Sequence, residues 1–325
     1  MTVQKITITS DDEGMRLDRW VRNNFPQLTQ GRVEKLLRKG EIRVDGGRVR
    51  ANLRLVEGMV VRLPPLPPPD PDNRGGPAPV SSAHAAALQR RILYRDEALI
   101  VIDKPSGLAV QGGSGITRHL DGMLDALQFD APERPRLVHR LDRDTSGVLV
   151  LARTRAAATA ATAAFADRST EKTYWALVQG GPDDDEGRLD SRLSKVVAGG
   201  GREQMASDSD GKAAATLYRC RARAASALAW LVLTPLTGRT HQLRVQTAEA
   251  GFPIVGDPRY GPSSAAPHDK GLGRGLHLHA RALVIPHPQG GRLQVEAPLP
   301  PHMVQSWRAL HWDEPSVPPV RRQPQ

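Results

Sequence analysis

The stretch His139-Arg140-Leu141-Asp142-Arg143-Asp144-Thr145-Ser146-Gly147 runs directly into Val148-Leu149-Val150-Leu151-Ala152. The second segment is a short β-branched and aliphatic run after a glycine, the composition of a buried strand. The first gathers two acids, two arginines, a histidine and two hydroxyls into the turn before it. Loops held by a rigid strand are where binding and catalytic groups concentrate. Positive charge at Arg140 and Arg143 favours the ionised form of a carboxylate between them. An ionised, positioned Asp suits a nucleophile or a base rather than an acid. Composition alone equally allows a polar turn with an Asp or Ser cap. It also does not separate Asp142 from Asp144.

Working outward, Leu99-Ile100-Val101-Ile102-Asp103 reads as another strand, and the second domain begins close before it, near Ile92. Lys104-Pro105-Ser106-Gly107-Leu108 follows, with glycines at 112, 113 and 115. The Walker spacing is absent, so nucleotide hydrolysis has little support, and Pro105 and Gly107 read as shaping a turn under the site. Beyond the central motif, Thr154 is placed to cap an Ala-rich helix reaching about Asp167. A strand is expected over Glu171–Val178, carrying Lys172 and Tyr174; a strand Tyr is as readily a core aromatic as a site residue. The acidic run Asp183-Asp184-Asp185-Glu186 reads as a solvated loop over 181–188 rather than a metal site. Strands are expected at Ala213–Arg219 and Ala229–Thr234, before Leu236-Thr237-Gly238-Arg239-Thr240-His241-Gln242-Leu243-Arg244-Val245. The plain structural reading of that stretch is a helix capped at Thr237 or Thr240, with Arg239 on the surface. His277 and His279 at strand spacing point to opposite faces, and with Cys220 isolated no zinc set emerges.

The N-terminal 63 residues form a basic unit. Leu17, Trp20 and Val21 recur at helical spacing among Arg16, Arg19 and Arg22. Thr29 is placed to cap a second helix with the apolar face Val33, Leu36 and Leu37, stopped by Gly40. Ile42-Arg43-Val44, the turn Asp45-Gly46-Gly47 and a strand pattern ending in Val60-Val61-Arg62-Leu63 follow. This unit holds 13 Lys and Arg against 8 Asp and Glu, half the whole chain's excess of +10 in a fifth of its length. Such concentration supports phosphate contacts more than a merely solvated face. Residues 64–88, opening with Pro64-Pro65-Leu66-Pro67-Pro68-Pro69, read as a semi-rigid linker, and 313–325 as a disordered tail.

The bulk composition points the same way. A 325-residue chain with 39% hydrophobic content accommodates a large domain plus a small one, and its pI near 10.2 suggests a polyanionic partner. A single cysteine allows no internal disulfide and fits a reducing cytoplasm. No apolar run approaches the roughly 18–20 residues of a membrane span, and the N-terminus lacks the apolar region of a signal peptide.

These motifs carry a resemblance. His-Arg-Leu-Asp-x-x-Thr-Ser-Gly at 139–147 and Gly-Arg-Thr-His-Gln-Leu-Arg at 238–244 resemble the two most specific motifs of the RluA-type pseudouridine synthases. Lys-Pro-x-Gly-Leu at 104–108, Lys-x-Tyr at 172–174, Gly-Asp-x-x-Tyr-Gly at 256–261 and Leu-His-Ala at 278–280 resemble further elements of that family. The N-terminal unit resembles an S4 RNA-binding domain, matching at Arg16-Leu17-Asp18 and Gly40-Glu41-Ile42-Arg43-Val44-Asp45-Gly46. The closest likeness is to the RluC/RluD branch, which acts on large-subunit ribosomal RNA.

The resemblance implies an α+β protein: a small S4-like unit over 1–63, the linker, and a catalytic domain over 89–312 with a mixed, largely antiparallel sheet and flanking helices. It implies isomerisation of uridines to pseudouridine in 23S rRNA by a cytoplasmic monomer, with no cofactor, metal or membrane. Asp142 is the catalytic acid, because Asp144 falls on a variable place of the motif. Arg239 is expected to pair with Asp142 and keep it ionised. Tyr174 and Leu243 hold the base, Tyr174 with the option of assisting proton removal from C5. His139, Arg140, Arg143 and Lys104 complete the substrate-binding set. Arg16, Arg19, Arg32, Lys35, Arg38, Lys39 and Arg43 are the expected RNA contacts of the S4-like unit. Gln246 stands where many members have a His. Three other readings compete: an RNA-binding ribosome-assembly factor on an inactive synthase fold, a synthase acting on transfer RNA, and a hydrolase built on Ser146, His139 and an Asp. The last lacks a Gly-x-Ser-x-Gly elbow.

Overall fold

The structure, a computed structural model, describes residues 3–25, 27–28, 30–66, 81–112, 116, 118–198, 202–224, 227–262, 271–313 and 320–323. The expected cap Thr29, linker residues 67–80, Gly113, Gly115 and most of the tail lie outside them. The chain divides into two units, Met1–Val80 and Ser81–Gln325.

The small unit contains β1 (Gln4–Thr7), α1 (Leu17–Asn24), α2 (Gln30–Lys39), β2 (Arg43–Val44) and β3 (Val60–Leu63). Its helices present the apolar faces that the spacing predicts: Leu17, Trp20, Val21, Val33, Leu36 and Leu37 are buried in one cluster with Ile42, Leu55 and Val61. Gly40 ends α2 in the left-handed region at φ +72°, where a side chain would be strained. β3 lies between β1 and β2, antiparallel to both. β1 is unforeseen, because its residues Gln4-Lys5-Ile6-Thr7 carry a single apolar side chain and lie at an exposed edge.

The large unit is organised on a twelve-stranded sheet. In chain order it comprises α3 (Ser82–Gln89), β4 (Ile92–Arg95), β5 (Leu99–Lys104), β6 (Arg136–Leu137), β7 (Ser146–Ala152), α4 (Arg155–Ala166), β8 (Glu171–Gln179), β9 (Glu186–Ala198), β10 (Arg202–Ser207), β11 (Lys212–Ala224), β12 (Leu228–Pro235), α5 (Gln242–Glu249), β13 (Leu278–Pro286), β14 (Arg292–Glu296), α6 (Pro301–Ala309) and β15 (Arg321–Gln323). The main path runs β10-β9-β11-β12-β8-β13-β7-β5-β4, with β6 on β7 and β14 joining β13 to β15. Every pairing is antiparallel except β13 with β7, in which His279 faces Ser146 and Ala280 faces Gly147. The sheet is thus mixed and largely antiparallel, as the resemblance implies.

β7 is buried along its whole length, and Val148, Leu149, Val150 and Leu151 are no more than 1% exposed. Burying side chains of this size stabilises by roughly 1.5–3 kcal/mol each. Gly147 enters the strand at φ +110°, and a Cβ there would sit 2.2 Å from the Ala280 carbonyl oxygen. Only glycine lets the two strands approach this closely. Thr154 caps α4 by accepting the Ala157 N–H, as its position predicts. Behind the sheet, Trp175, Trp307 and Trp312 surround Trp230 with ring centroids 4.7, 5.3 and 6.1 Å away. Trp20, in the small unit, donates to Asp12.

Three expectations need correction. The linker does not extend to 88: Ser81 caps α3, whose Leu88 is buried, so the large unit begins before Ile92. The tail is not wholly disordered, because β15 pairs with β14. The acidic loop ends at Asp185, since Glu186 opens a 13-residue strand paired to β11 and β10. Among the described residues no helix is long and apolar enough to cross a membrane.

Candidate active site

The loop between β6 and β7 carries the central motif to the floor of a cleft of about 420 Å³. His139 fixes the start of that loop. Its ring stacks on Phe165 at 4.2 Å, and its Nε2 accepts the Val150 N–H at 2.8 Å, continuing the β6–β7 ladder with a side chain. Burial, with the Lys172 charge adding to it, pushes this imidazole down to about 3, so the ring is neutral. His139 therefore positions the loop. Leu141 is buried, Asp142 is half-buried in the cleft, and Arg140 is exposed at its rim.

A second set of bonds secures the loop from below. The fully buried Lys104 ammonium donates to the carbonyls of Pro105, Leu108 and Arg143 at 2.8–2.9 Å. Gly107 N–H also reaches the Arg143 carbonyl, and Ser106 Oγ donates to the Asp144 carbonyl. Burial pushes Lys104 down to about 7, against the pull of Asp144, Asp142 and Asp103. Lys104 is 0% exposed and cannot touch RNA, so its assignment to substrate binding is corrected: it staples the 104–108 turn to the loop that carries Asp142. Arg143 likewise turns away from Asp142, donating to the Gly107 carbonyl and lying 3.9 Å from Asp144.

The opposite wall is the stretch from Thr237 to α5. Gln242 organises it: its Oε1 accepts from Thr237 Oγ1 and Arg239 N–H, and its Nε2 donates to Ala215 O and Thr216 Oγ1. Gln246, one turn on, accepts from Thr216 and donates to Leu189 and Ala214 carbonyls. Neither Thr237 nor Thr240 caps the helix; the N-cap is His241, in the left-handed region at φ +53°. This reversal decides which cation meets the acid. Arg239 points outward, its Nε donating to Ala213 O. Arg244 Nη1 instead lies 3.7 Å from Asp142 Oδ2. The expected Arg239–Asp142 pair is therefore corrected to Arg244–Asp142: α5 buries residues 242–247 and leaves 239 on the loop before it.

Arg244 is itself held. Its Nε and Nη2 make two 2.7 Å bonds to Asp257, whose side chain is completely buried. Asp257 Oδ1 also accepts the N–H groups of Arg259 and Tyr260. Burial opposes both charges, but for each the partner outweighs it, so Arg244 is raised and Asp257 lowered from its ordinary value. A fork bonded on two prongs presents its third at a fixed place. His241 Nε2 lies 3.9 Å from the other oxygen, Asp142 Oδ1.

Tyr174, on β8, and Leu243, on the first turn of α5, pack with Leu278 in one apolar cluster beside the acid and line the cleft. Burial, and after it the Asp142 charge, raises the Tyr174 phenol well above its usual value, so it keeps its proton. Arg168, Lys172 and Arg239 also line the opening. Thr145 Oγ1 lines it too, buried and with no hydrogen-bond partner. Ser146 belongs elsewhere: its buried hydroxyl meets His279 Nδ1 at 2.9 Å, away from the cleft, which removes the hydrolase reading. Among the described residues no three His, Cys, Asp or Glu side chains converge to hold a metal.

In the small unit Arg19, Arg32, Lys35, Arg38 and Lys39 are exposed, the last four on one helix. Arg16 is tied to Asp18 at 2.6 Å, and Arg43 donates to the Gly40 and Gly46 carbonyls. Arg244, His241, Asp257 and Tyr260 are the site residues that the sequence reading missed. All four lie in motifs already singled out, and what was lacking was the direction each faces.

Known proteins resemble this chain across both units. The family model described as RNA pseudouridylate synthase matches residues 98–249, and the S4 domain model matches residues 15–61. A Vibrio cholerae protein named ribosomal large subunit pseudouridine synthase C is 36% identical over 308 residues, covering 94% of this chain and 96% of its own. Its namesake in Yersinia pestis is 38% identical over 91% of this chain and 92% of its own. Among solved structures, human RNA pseudouridylate synthase domain containing 4 aligns with TM-score 0.60 and 30% identity, over 72% of this chain and 98% of that one. The chain belongs to the RNA pseudouridylate synthase family, and it carries an S4 domain ahead of the synthase domain.

Proposed function

We propose that this synthase isomerises specific uridines to pseudouridine in 23S rRNA, with Asp142 as its catalytic acid. The observation that carries the assignment is the half-buried Asp142 carboxylate facing an arginine that Asp257 holds in place. The relatives named for the large ribosomal subunit align nearly end to end with this chain, which supports the substrate.

The reaction breaks the N1–C1′ bond, turns the uracil and joins C5 to C1′. One proton leaves C5 and one arrives at N1, so no net redox change or energy input is needed. Asp142 acts as the carboxylate at C1′, and Arg244 pairs with it and orients it. Tyr174 and Leu243 form the apolar wall against the base, the Tyr phenol remaining protonated. Extruding a stacked base costs a few kcal/mol. Phosphate contacts from Arg140, Arg168, Lys172 and Arg239 at the cleft mouth, and from Arg32, Lys35, Arg38 and Lys39 in the S4 domain, offset that cost.

The test is pseudouridine mapping of 23S rRNA from cells lacking the gene, complemented with wild type or Asp142→Asn. Loss of particular sites that only wild type restores is the expected outcome. Restoration by both would remove Asp142 from the mechanism. An unchanged 23S map would move the substrate to another RNA.

A further inference from the structure

His241 sits in the left-handed region at φ +53°, an uncommon backbone conformation for a residue other than glycine. That conformation turns its ring inward, between Tyr260 and Asp142. Nδ1 lies 2.8 Å from the Tyr260 hydroxyl, and the rings meet edge-on at 5.6 Å. The Tyr260 oxygen already accepts the Met205 N–H from β10 at 3.2 Å. With that N–H accepted, the arrangement that also uses the Tyr260 proton has the hydroxyl donating to Nδ1 and the ring proton on Nε2. Nε2 is the atom that faces Asp142 Oδ1, at 3.9 Å.

We infer that His241 is a positioning residue: a neutral imidazole, fixed by Tyr260 as its Nε2–H tautomer, that aligns Asp142 from the side opposite Arg244. This rests on the reading of Asp142 as the catalytic acid. Each carboxylate oxygen then has its own donor, Arg244 Nη1 toward Oδ2 and His241 Nε2 toward Oδ1. One short segment references both donors: Asp257 grips Arg244, and Tyr260 sets the His241 tautomer. The Gly-Asp-x-x-Tyr-Gly turn thereby acquires a reason for both its acid and its aromatic. Burial lowers the His241 pKa more than the Asp142 charge raises it, and Arg244 and Arg259 add to the lowering, consistent with a neutral ring. At 3.9 Å the contact is longer than a hydrogen bond. Catalytic hydrogen bonds that are long in the free enzyme commonly tighten in the complex.

The test combines a spectroscopic and a kinetic readout on the full chain. Nitrogen-15 NMR of histidine-labelled protein, with His241 assigned by its loss in His241→Gln, is expected to show the Nε2–H tautomer. Single-turnover pseudouridylation of a 23S rRNA transcript is expected to slow about a hundredfold in His241→Leu, with the RNA Kd unchanged within about twofold. His241→Gln, which returns an N–H near the Nε2 position, is expected to recover most of the rate. An Nδ1–H tautomer, a charged ring, or a His241→Leu rate equal to wild type would overturn the inference. Were wild type also inactive on the transcript, the substrate assignment would fall, and the tautomer alone would decide this one.

Discussion

Replacing Asp257 by Asn tests how Asp142 acquires its partner. Asp257 Oδ1 accepts from Arg259 N–H, Tyr260 N–H and Arg244 Nη2, while Oδ2 accepts only from Arg244 Nε. An Asn keeps its oxygen on the first set, where three donors converge, so its amide N–H₂ is forced toward Arg244 Nε. Two donors then face each other where a 2.7 Å bond had been. The negative charge also goes, leaving a guanidinium that is 4% exposed with Asp142, 3.7 Å away, as its one acidic partner among the described residues. Removing one partner of a buried pair costs about 3–5 kcal/mol, and solvent does little to reduce that here. With a urea slope of roughly 2–3 kcal/mol/M, the unfolding midpoint is expected to fall by about 1–2 M at unchanged slope. Arg244 loses its anchor at the same time, so pseudouridylation by the folded variant is expected to drop about a hundredfold. Asp144→Asn, two residues from Asp142 but half-buried and in a loose 3.9 Å contact with the exposed Arg143, is expected to lose under about 1 kcal/mol. Should Asp257→Asn keep both its midpoint and its rate, Arg244 is not held by Asp257 and the account of the site is wrong.

Three further outcomes follow from the same framework. Gly147→Ala sets a methyl 2.2 Å from the Ala280 carbonyl at a positive φ, and is expected to lose about 4 kcal/mol or more; a thermal melt within 2–3 °C of wild type would contradict that. Lys104→Met leaves three carbonyls without their buried donor and is expected to lower urea stability by about 3 kcal/mol or more while RNA affinity stays intact; weaker RNA binding at full stability would return Lys104 to the substrate site. His139 and His279 are pushed by burial from 6.5 down to about 3, so between these values the unfolded chain binds protons that the folded one refuses. Their contribution is complete above pH 6.5 and shrinks as pH falls toward 3, at up to about 1.4 kcal/mol per pH unit for each ring; denaturation at pH 7 and pH 5 is expected to differ by up to roughly 2 kcal/mol per His.

What was legible in the sequence was what local pattern determines. β7 is visible because a strand buried on both faces must be uniformly apolar. α1 and α2 are visible because one face of each is buried and the other charged. β9 and β10 are not, because their exposed faces carry Arg, Asp, Ser and Lys, and pairing alone holds them in place. α3 escapes because a short Ala-rich helix after a proline-rich segment offers no periodicity. Within the site, the motif drew attention to Asp142, whereas the cation that faces it was not legible. Arg239 and Arg244 stand five residues apart in one motif, and the left-handed turn at His241 decides which faces inward. Lys104 illustrates the same limit, since a cation in a loop reads as a ligand for phosphate until its three carbonyl partners are seen.

The indoles divide between the two units in a way that gives each its own optical signal. Trp20 is the lone tryptophan of the S4 domain, buried and bonded to Asp12, while the other four form one cluster behind the synthase sheet, three of them around Trp230. Rings 4.7–6.1 Å apart exchange excitation, so the quartet reports as one coupled chromophore, distinguishable from the isolated indole by near-ultraviolet dichroism. A Trp20→Phe protein would leave a spectrum belonging to the synthase domain alone, and subtraction would return that of the S4 domain. RNA engagement by one domain could then be followed without attaching a dye to either.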